Sequence, residues 1–192
     1  MLTIPLNLIR AAIPCAATND VRYYLNGAYF VWTVADHTLR VISTDGNLMS
    51  CFSVRMPECE TPDFDLIIPV DTLKPAAKVK TLALQLSSVD EKRYTLGEFM
   101  FSPVDAKFPD YRRVIPQTLS GEAGDFWPEL LERAANALCA YYKASKTQVY
   151  HMDQNGKRGA AVMHNGESDA IVVIMPTNVN PKGDLPVYKG FN

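Results

Sequence analysis

The groups in this chain that could do chemistry are few and scattered. Three histidines, His37, His151 and His164, lie in separate strand or turn contexts, and none belongs to a recognisable nucleophile motif. The carboxylates form no HExxH pattern, and the glycines form neither a Walker loop nor a GxGxxG fingerprint. Cys15, Cys51, Cys59 and Cys139 have no CxxC spacing and no histidine near enough for a zinc site, so reduced thiols and no metal are expected. Neither catalysis nor a cofactor is expected. Positive charge does recur: Arg10, Lys74 and Arg133 each stand five residues after a proline that follows an apolar residue, in Ile4-Pro5, Ile68-Pro69 and Trp127-Pro128. Cations repeated in this way suit weak, sequence-independent contact with phosphate, or else keep exposed helix faces in water.

The elements that must position those cations form a repeat at intervals of roughly sixty residues, read as three stacked supersecondary units. Apolar-Pro suits the first turn of a helix, and small residues follow each cation: Ala11 and Ala12, Ala76 and Ala77, Ala134 and Ala135. Segments of strand character come next. They are Val21–Thr33, Thr38–Ser43 and Leu48–Val54, then Leu82–Leu86, Tyr94–Leu96 and Phe99–Ser102, then Val149–Met152, Ala160–Met163 and Ala170–Met175. Asn155-Gly156 and Asn165-Gly166 mark tight turns. Each unit thus reads as strand, helix and three antiparallel strands, a βαβββ module of an α+β fold. Pro75 should kink or shorten the second helix. The third, from Pro128 to about Lys143, places Leu131, Ala134, Ala135, Leu138 and Tyr142 on one face.

Composition bounds the rest. The 192 residues are 47% apolar and 21% charged, and no apolar run approaches the ~20 residues of a membrane span. No secretory signal is read at the start, so a cytoplasmic location is expected. A net charge of −2 excludes nucleic-acid binding driven by overall charge but permits a local basic surface.

The segment Phe108-Pro109-Asp110-Tyr111-Arg112-Arg113-Val114-Ile115-Pro116 is bracketed by prolines and reads as an extended connector that is neither helix nor central strand. It resembles, nearly letter for letter, the connector between the second and third domains of the bacterial DNA polymerase sliding clamp, the polymerase III beta-subunit family. Asp20-Val21-Arg22-Tyr23-Tyr24-Leu25-Asn26-Gly27, Thr44-Asp45-Gly46 and Val172-Val173-Ile174-Met175-Pro176 resemble three further blocks of that family in the same order. The resemblance implies a DNA-clamp fold: residues 1–107 as a complete middle domain of two units, 108–124 as connector, 125–179 as half of a last domain, and 180–192 as a tail. A clamp this short would suit a phage or prophage.

The resemblance also implies a peptide-binding pocket built from Leu25, Thr44, Gly46, Met49, Pro109, Arg113, Val114, Val173, Met175 and Pro176. Two departures bear on it, since the family usually has His-Arg where Asn47-Leu48 stands, and Arg-Leu where Asn178-Val179 stands. DNA-facing positions would be Arg10, Tyr23, Tyr24, Lys74, Lys78, Arg133 and Lys143, with Lys80 and Lys146 as helpers. The implied partners are double-stranded DNA bound without sequence preference, polymerases or recombination and repair proteins bound through linear motifs, and a clamp loader. An alternative is a clamp mimic that sequesters such peptides without encircling DNA. Asp184-Leu185-Pro186-Val187-Tyr188 in the tail is a poor copy of a clamp-binding peptide. Clamp domains pair their units in twos, so the resemblance leaves the third unit unpaired; pairing it with its counterpart across a two-fold axis demands an even number of chains, and a ring wide enough for duplex DNA makes that a homotetramer.

Overall fold

The structure is a computed structural model that describes residues 1–145, 148–167 and 169–177. Lys146, Asn178-Val179 and the tail segment Asp184–Tyr188 lie outside the described residues. The elements are β1 (Leu2–Pro5), α1 (Leu6–Ala12), β2 (Gly27–Thr33), β3 (Thr38–Thr44), β4 (Leu48–Arg55), β5 (Phe64–Pro69), α2 (Val70–Ala76), β6 (Ala83–Ser88), β7 (Tyr94–Leu96), β8 (Phe99–Phe101), α3 (Pro128–Tyr142), β9 (His151–Asp153), β10 (Ala161–His164) and β11 (Ala170–Ile174). Single 3-10 turns cover Ile13–Cys15, Tyr23–Leu25 and Tyr111–Arg113.

The α+β class and the repeat are both present. The first unit is β1 to β4 with α1, the second β5 to β8 with α2, and the two exchange their first strands. β1 pairs with β6 and β5 with β2, all antiparallel. Two sheets result, one ordered β1-β6-β7-β8 and one ordered β5-β2-β3-β4-β11-β10-β9. The second is continuous across the first and third units because β11 lies antiparallel to β4, from Ala170 opposite Phe52 to Ile174 opposite Leu48. The helices cover the core side: α1 packs against both α2 and α3. Ala11, Ala12, Ala76 and Ala134 are fully buried, so small side chains let these backbones approach. Phe30, Trp32, Leu39, Phe52 and Leu73 fill the main core.

Several sequence expectations are corrected. The strand expected from Val21 begins only at Gly27. Asn26 instead exchanges bonds with Asp20, its Oδ1 accepting from the Asp20 N–H at 2.8 Å and its Nδ2 donating to the Asp20 carbonyl at 2.8 Å. That closes residues 20–26 into a loop. The third unit has no strand before α3 among the described residues. Its approach segment bonds to the loop after β9 instead, with Gly121 N donating to Gln154 O at 3.0 Å and Gly156 N to Glu122 O at 2.7 Å. The buried face of α3 is Leu130, Ala134, Ala137, Leu138 and Tyr141, so Leu130, Ala137 and Tyr141 replace the expected Leu131, Ala135 and Tyr142. Tyr141 and Tyr142 both donate to Asp169, at 2.9 Å each, and that ties the end of α3 to the sheet. α2 stops at Ala76, one residue beyond Pro75. The connector is not wholly extended, because a 3-10 turn needs only the Arg113 N to Asp110 O and Val114 N to Tyr111 O bonds, at 3.3 and 3.1 Å, and fits between the prolines.

Candidate functional site

On the face of the long sheet away from the helices, a second cluster of Ile42, Met49, Ile67, Phe108, Tyr111 and Val173 fixes the connector across the strands. Phe108 stacks on Tyr29 with ring centres 4.8 Å apart and planes 7° from parallel. Burial, then the hydrogen bond from its hydroxyl to Asp65 at 2.9 Å, pushes the Tyr29 phenol up to about 12. The Arg112 guanidinium lies over the Tyr111 ring at 4.9 Å. The Tyr29–Phe108 stack before Pro109 and the buried Tyr111 ring after it thus hold the connector on the sheet.

Between that connector and the turn joining β3 to β4 opens an apolar cavity of about 180 Å³. Leu25, Thr44, Gly46, Met49, Pro109, Val114, Val173 and Met175 line it, eight of the ten residues expected there. Arg113 and Pro176 do not. Arg113 instead points to solvent beside Asp110, 3.0 Å away. Six further residues line the cavity: Arg22, Phe108 and Tyr111, which were not expected there, Asn47 and Leu48, which stand in place of the family's His-Arg, and Tyr24, which was expected to face DNA. Phe108 and Tyr111 were legible as the apolar positions of the connector. Arg22 was not, since its role depends on a contact made across the fold.

The cavity wall at Thr44–Leu48 is built with unusual redundancy. Asp45 Oδ1 accepts from the Asn47 and Leu48 amides at 2.8 and 2.9 Å, while Thr44 Oγ1 accepts from Gly46 N and donates to Leu48 O. Gly46 has φ +95°, which a side chain rarely adopts, and a Cβ there would stand 3.0 Å from the Arg22 guanidinium. Arg22 donates to the Asp45 carbonyl at 3.0 Å and pairs with both carboxylate oxygens of Asp20 at 3.0 and 2.7 Å. Hydrogen bonding from Arg22 holds the Asp20 carboxyl down to about 2. Met175 N donates to Asn47 O at 2.9 Å, which sets the end of the last strand against the same turn. Beneath it lies Cys15, whose thiol burial pushes up to about 12 and leaves inert at neutral pH.

The expected DNA-facing residues divide. Arg10 donates to the carbonyls of Ala77 and Val79, at 2.9 and 3.3 Å, which caps the end of α2 and places it beside exposed Lys78. Lys74, Lys80 and Lys143 are also exposed, and Lys74 reaches Thr18 at 3.5 Å. Arg133 is only partly exposed and donates to Pro14 O at 2.8 Å and to Asp45 Oδ2 at 2.7 Å. Tyr23 is exposed and stands edge-on to Tyr24, which lines the cavity. Among the described residues there is no cluster of three or more His, Cys, Asp or Glu able to hold a metal, and no helix long and apolar enough to cross a membrane.

Comparison with known proteins places this geometry. Among curated relatives, the beta sliding clamp of Pseudomonas putida is 37% identical over 107 residues, covering 53% of this chain and 29% of that protein. The beta sliding clamp of Vibrio cholerae is 28% identical over 183 residues, covering 92% and 48%. The chain therefore spans less than half the length of these relatives. Two solved sliding clamps share the fold: one from Bacillus subtilis (TM-score 0.72, 14% identity) and one from Pseudomonas aeruginosa bound to griselimycin (TM-score 0.67, 20% identity). Each covers 93% of this chain, and 64% and 65% of its own length respectively. Residues 6–110, more than half of the chain, match the family described as DNA polymerase III beta subunit, central domain, and the chain belongs to the sliding-clamp family.

Proposed function

We propose that this chain works as a sliding clamp: a non-catalytic tether that encircles double-stranded DNA and holds polymerases or recombination and repair proteins through short linear peptides. The single observation that carries the reading is the apolar cavity between the connector and the Thr44–Leu48 turn, lined by eight of the residues matched to a clamp pocket. Leu, Val and Met side chains beside Pro109 suit a Leu-Phe anchor, and Met49 and Met175 adapt to more than one sequence. Arg22 and Asn47 at its edge supply polar contacts where the family's His-Arg is missing.

Encirclement follows from assembly. Packed helices stand about 8–10 Å apart, so six in a ring set their axes on a circle roughly 17 Å across and twelve on one roughly 35 Å across, each narrowed by about 10 Å by the helices themselves. A B-form duplex is about 20 Å wide with grooves about 8 Å deep. A dimer of three-unit chains is too narrow, whereas a tetramer of about 86 kDa, four times 21.4 kDa, is wide enough. Its third units pair in twos across two-fold axes, and Lys74, Lys78 and Lys80 offer weak phosphate contacts.

A fluorescent peptide of Gln-Leu-x-Leu-Phe character should bind with micromolar affinity, about 8 kcal/mol. Met175→Glu puts a charge into the cavity and should abolish binding. Equal binding by both proteins removes this cavity as the site. Native mass spectrometry should give the tetramer, and a monomer would favour peptide sequestration over a ring.

A further inference from the structure

The two sheets are built to one plan but end differently. The series β5-β2-β3-β4 in the long sheet corresponds strand for strand to β1-β6-β7-β8 in the short one, since the first two units exchange first strands. At β4, the last strand of its unit, the long sheet continues by antiparallel pairing with β11, the last strand of the third unit. At β8, also a last strand, the short sheet stops: among the described residues β8 is paired on one side alone, by β7.

We infer that the open edge of β8 pairs with β8 of a second copy of this chain, about a two-fold axis at Met100. The proposal deepens the assembly reading above by naming its second interface, and it stands without the peptide pocket. The fold joins unit to unit by last strand against last strand, and of the three last strands β4 and β11 occupy each other. The strand that matches β8 is therefore another β8. Antiparallel pairing of identical strands closes on itself as a two-fold contact. The remaining open edge, β9, is of the other kind. It corresponds to β2 and β6, which are covered by an entering first strand, so β8 meeting β9 head to tail would join unlike edges.

Local chemistry agrees. Gly97-Glu98 makes a two-residue turn with positive φ at Gly97, and its closing pair is Leu96 opposite Phe99. By the alternation of an antiparallel ladder, Met100, opposite Thr95, turns its N–H and C=O to the open edge. Phe101 is buried and Phe99 packs on the core, whereas Met100 is 59% exposed. No charge or proline protects this strand before Pro103, and such an edge is a ready template for another. In the pair, Phe99 faces the partner's Phe101 and the two Met100 side chains meet across the axis.

The test uses two variants of the full chain. Met100→Cys, mildly oxidised, should give a cross-linked dimer of about 43 kDa, twice 21.4 kDa, where wild type, with its four native cysteines, gives none. Met100→Pro removes an N–H the monomer does not use and should halve the native mass, from tetramer to dimer, with circular dichroism and peptide binding retained. A wild-type dimer that cross-links at Met100→Cys keeps this interface and sinks the tetramer. A wild-type tetramer or dimer that neither cross-links nor loses mass overturns the β8 pairing, as does a wild-type monomer.

Discussion

Arg133, on the helix of the third unit, donates to Asp45 Oδ2 at 2.7 Å, and Asp45 is the residue around which the wall of the apolar cavity turns. The cation that repeats with Arg10 and Lys74 in the sequence is thus, in the fold, a strut from the core-side helices to the turn at the end of β3 and β4. Its Nε also holds Pro14 O, so one guanidinium joins α3, the end of α1 and the turn.

Arg133→Met should therefore destabilise the protein by about 1–3 kcal/mol, because it leaves a largely buried carboxylate and a carbonyl without their donor. It should also weaken peptide binding several-fold, with Arg133→Lys recovering part of the loss. A double-mutant cycle with Asp45→Asn, read by denaturant unfolding and peptide titration, checks this. Additive effects would show that the two residues are not coupled.

Gly46→Ala should cost about 1 kcal/mol or more from backbone strain at φ +95°. The added methyl also presses on Arg22, so peptide affinity should fall along with the melting temperature.

Phe108→Ala removes the ring stacked on Tyr29 and should cost about 3 kcal/mol. The connector would lift from the sheet and take Pro109 and Val114 with it. Loss of peptide binding should accompany a protein that still unfolds cooperatively.

The Asp20 carboxyl is held down to about 2 by Arg22, against an unfolded value near 3.9. A depressed carboxylate contributes stability that is fully present above the unfolded value. The contribution is lost as pH falls toward and through about 2. The stability difference between wild type and Asp20→Asn, measured by denaturant unfolding, should be constant above pH 5 and shrink between about pH 4 and 2. A difference that grows on acidification would contradict the pairing.

Retention on DNA should depend on topology and salt. A closed plasmid should keep the protein and its linearised form should shed it. Lys74→Ala with Lys78→Ala should lower the salt slope by about 2, one for each phosphate left without its lysine. Equal retention on both forms would count against encirclement.

The sequence by itself determined the repeat and the α+β class, whereas the residues of the cavity were implied by the resemblance to a family and not by local signals. Pro5, Pro69 and Pro128 mark helix starts, alternation marks strands, and Thr44-Asp45-Gly46 specifies a turn through local hydrogen bonds and one positive φ. Such signals act within a few residues and are read from neighbours alone. Tertiary structure decided which strand edges meet, which face of α3 turns inward, and what Arg22, Tyr24 and Arg133 touch. The stripe on α3 shifted from Leu131 to Leu130 because the sheet and α1, not helical periodicity alone, choose the buried side. Arg133 was legible as a cation but not as a strut, since its partner lies 88 residues away and the packing of α3 on α1, with the pairing of β4 and β11, brings the two together.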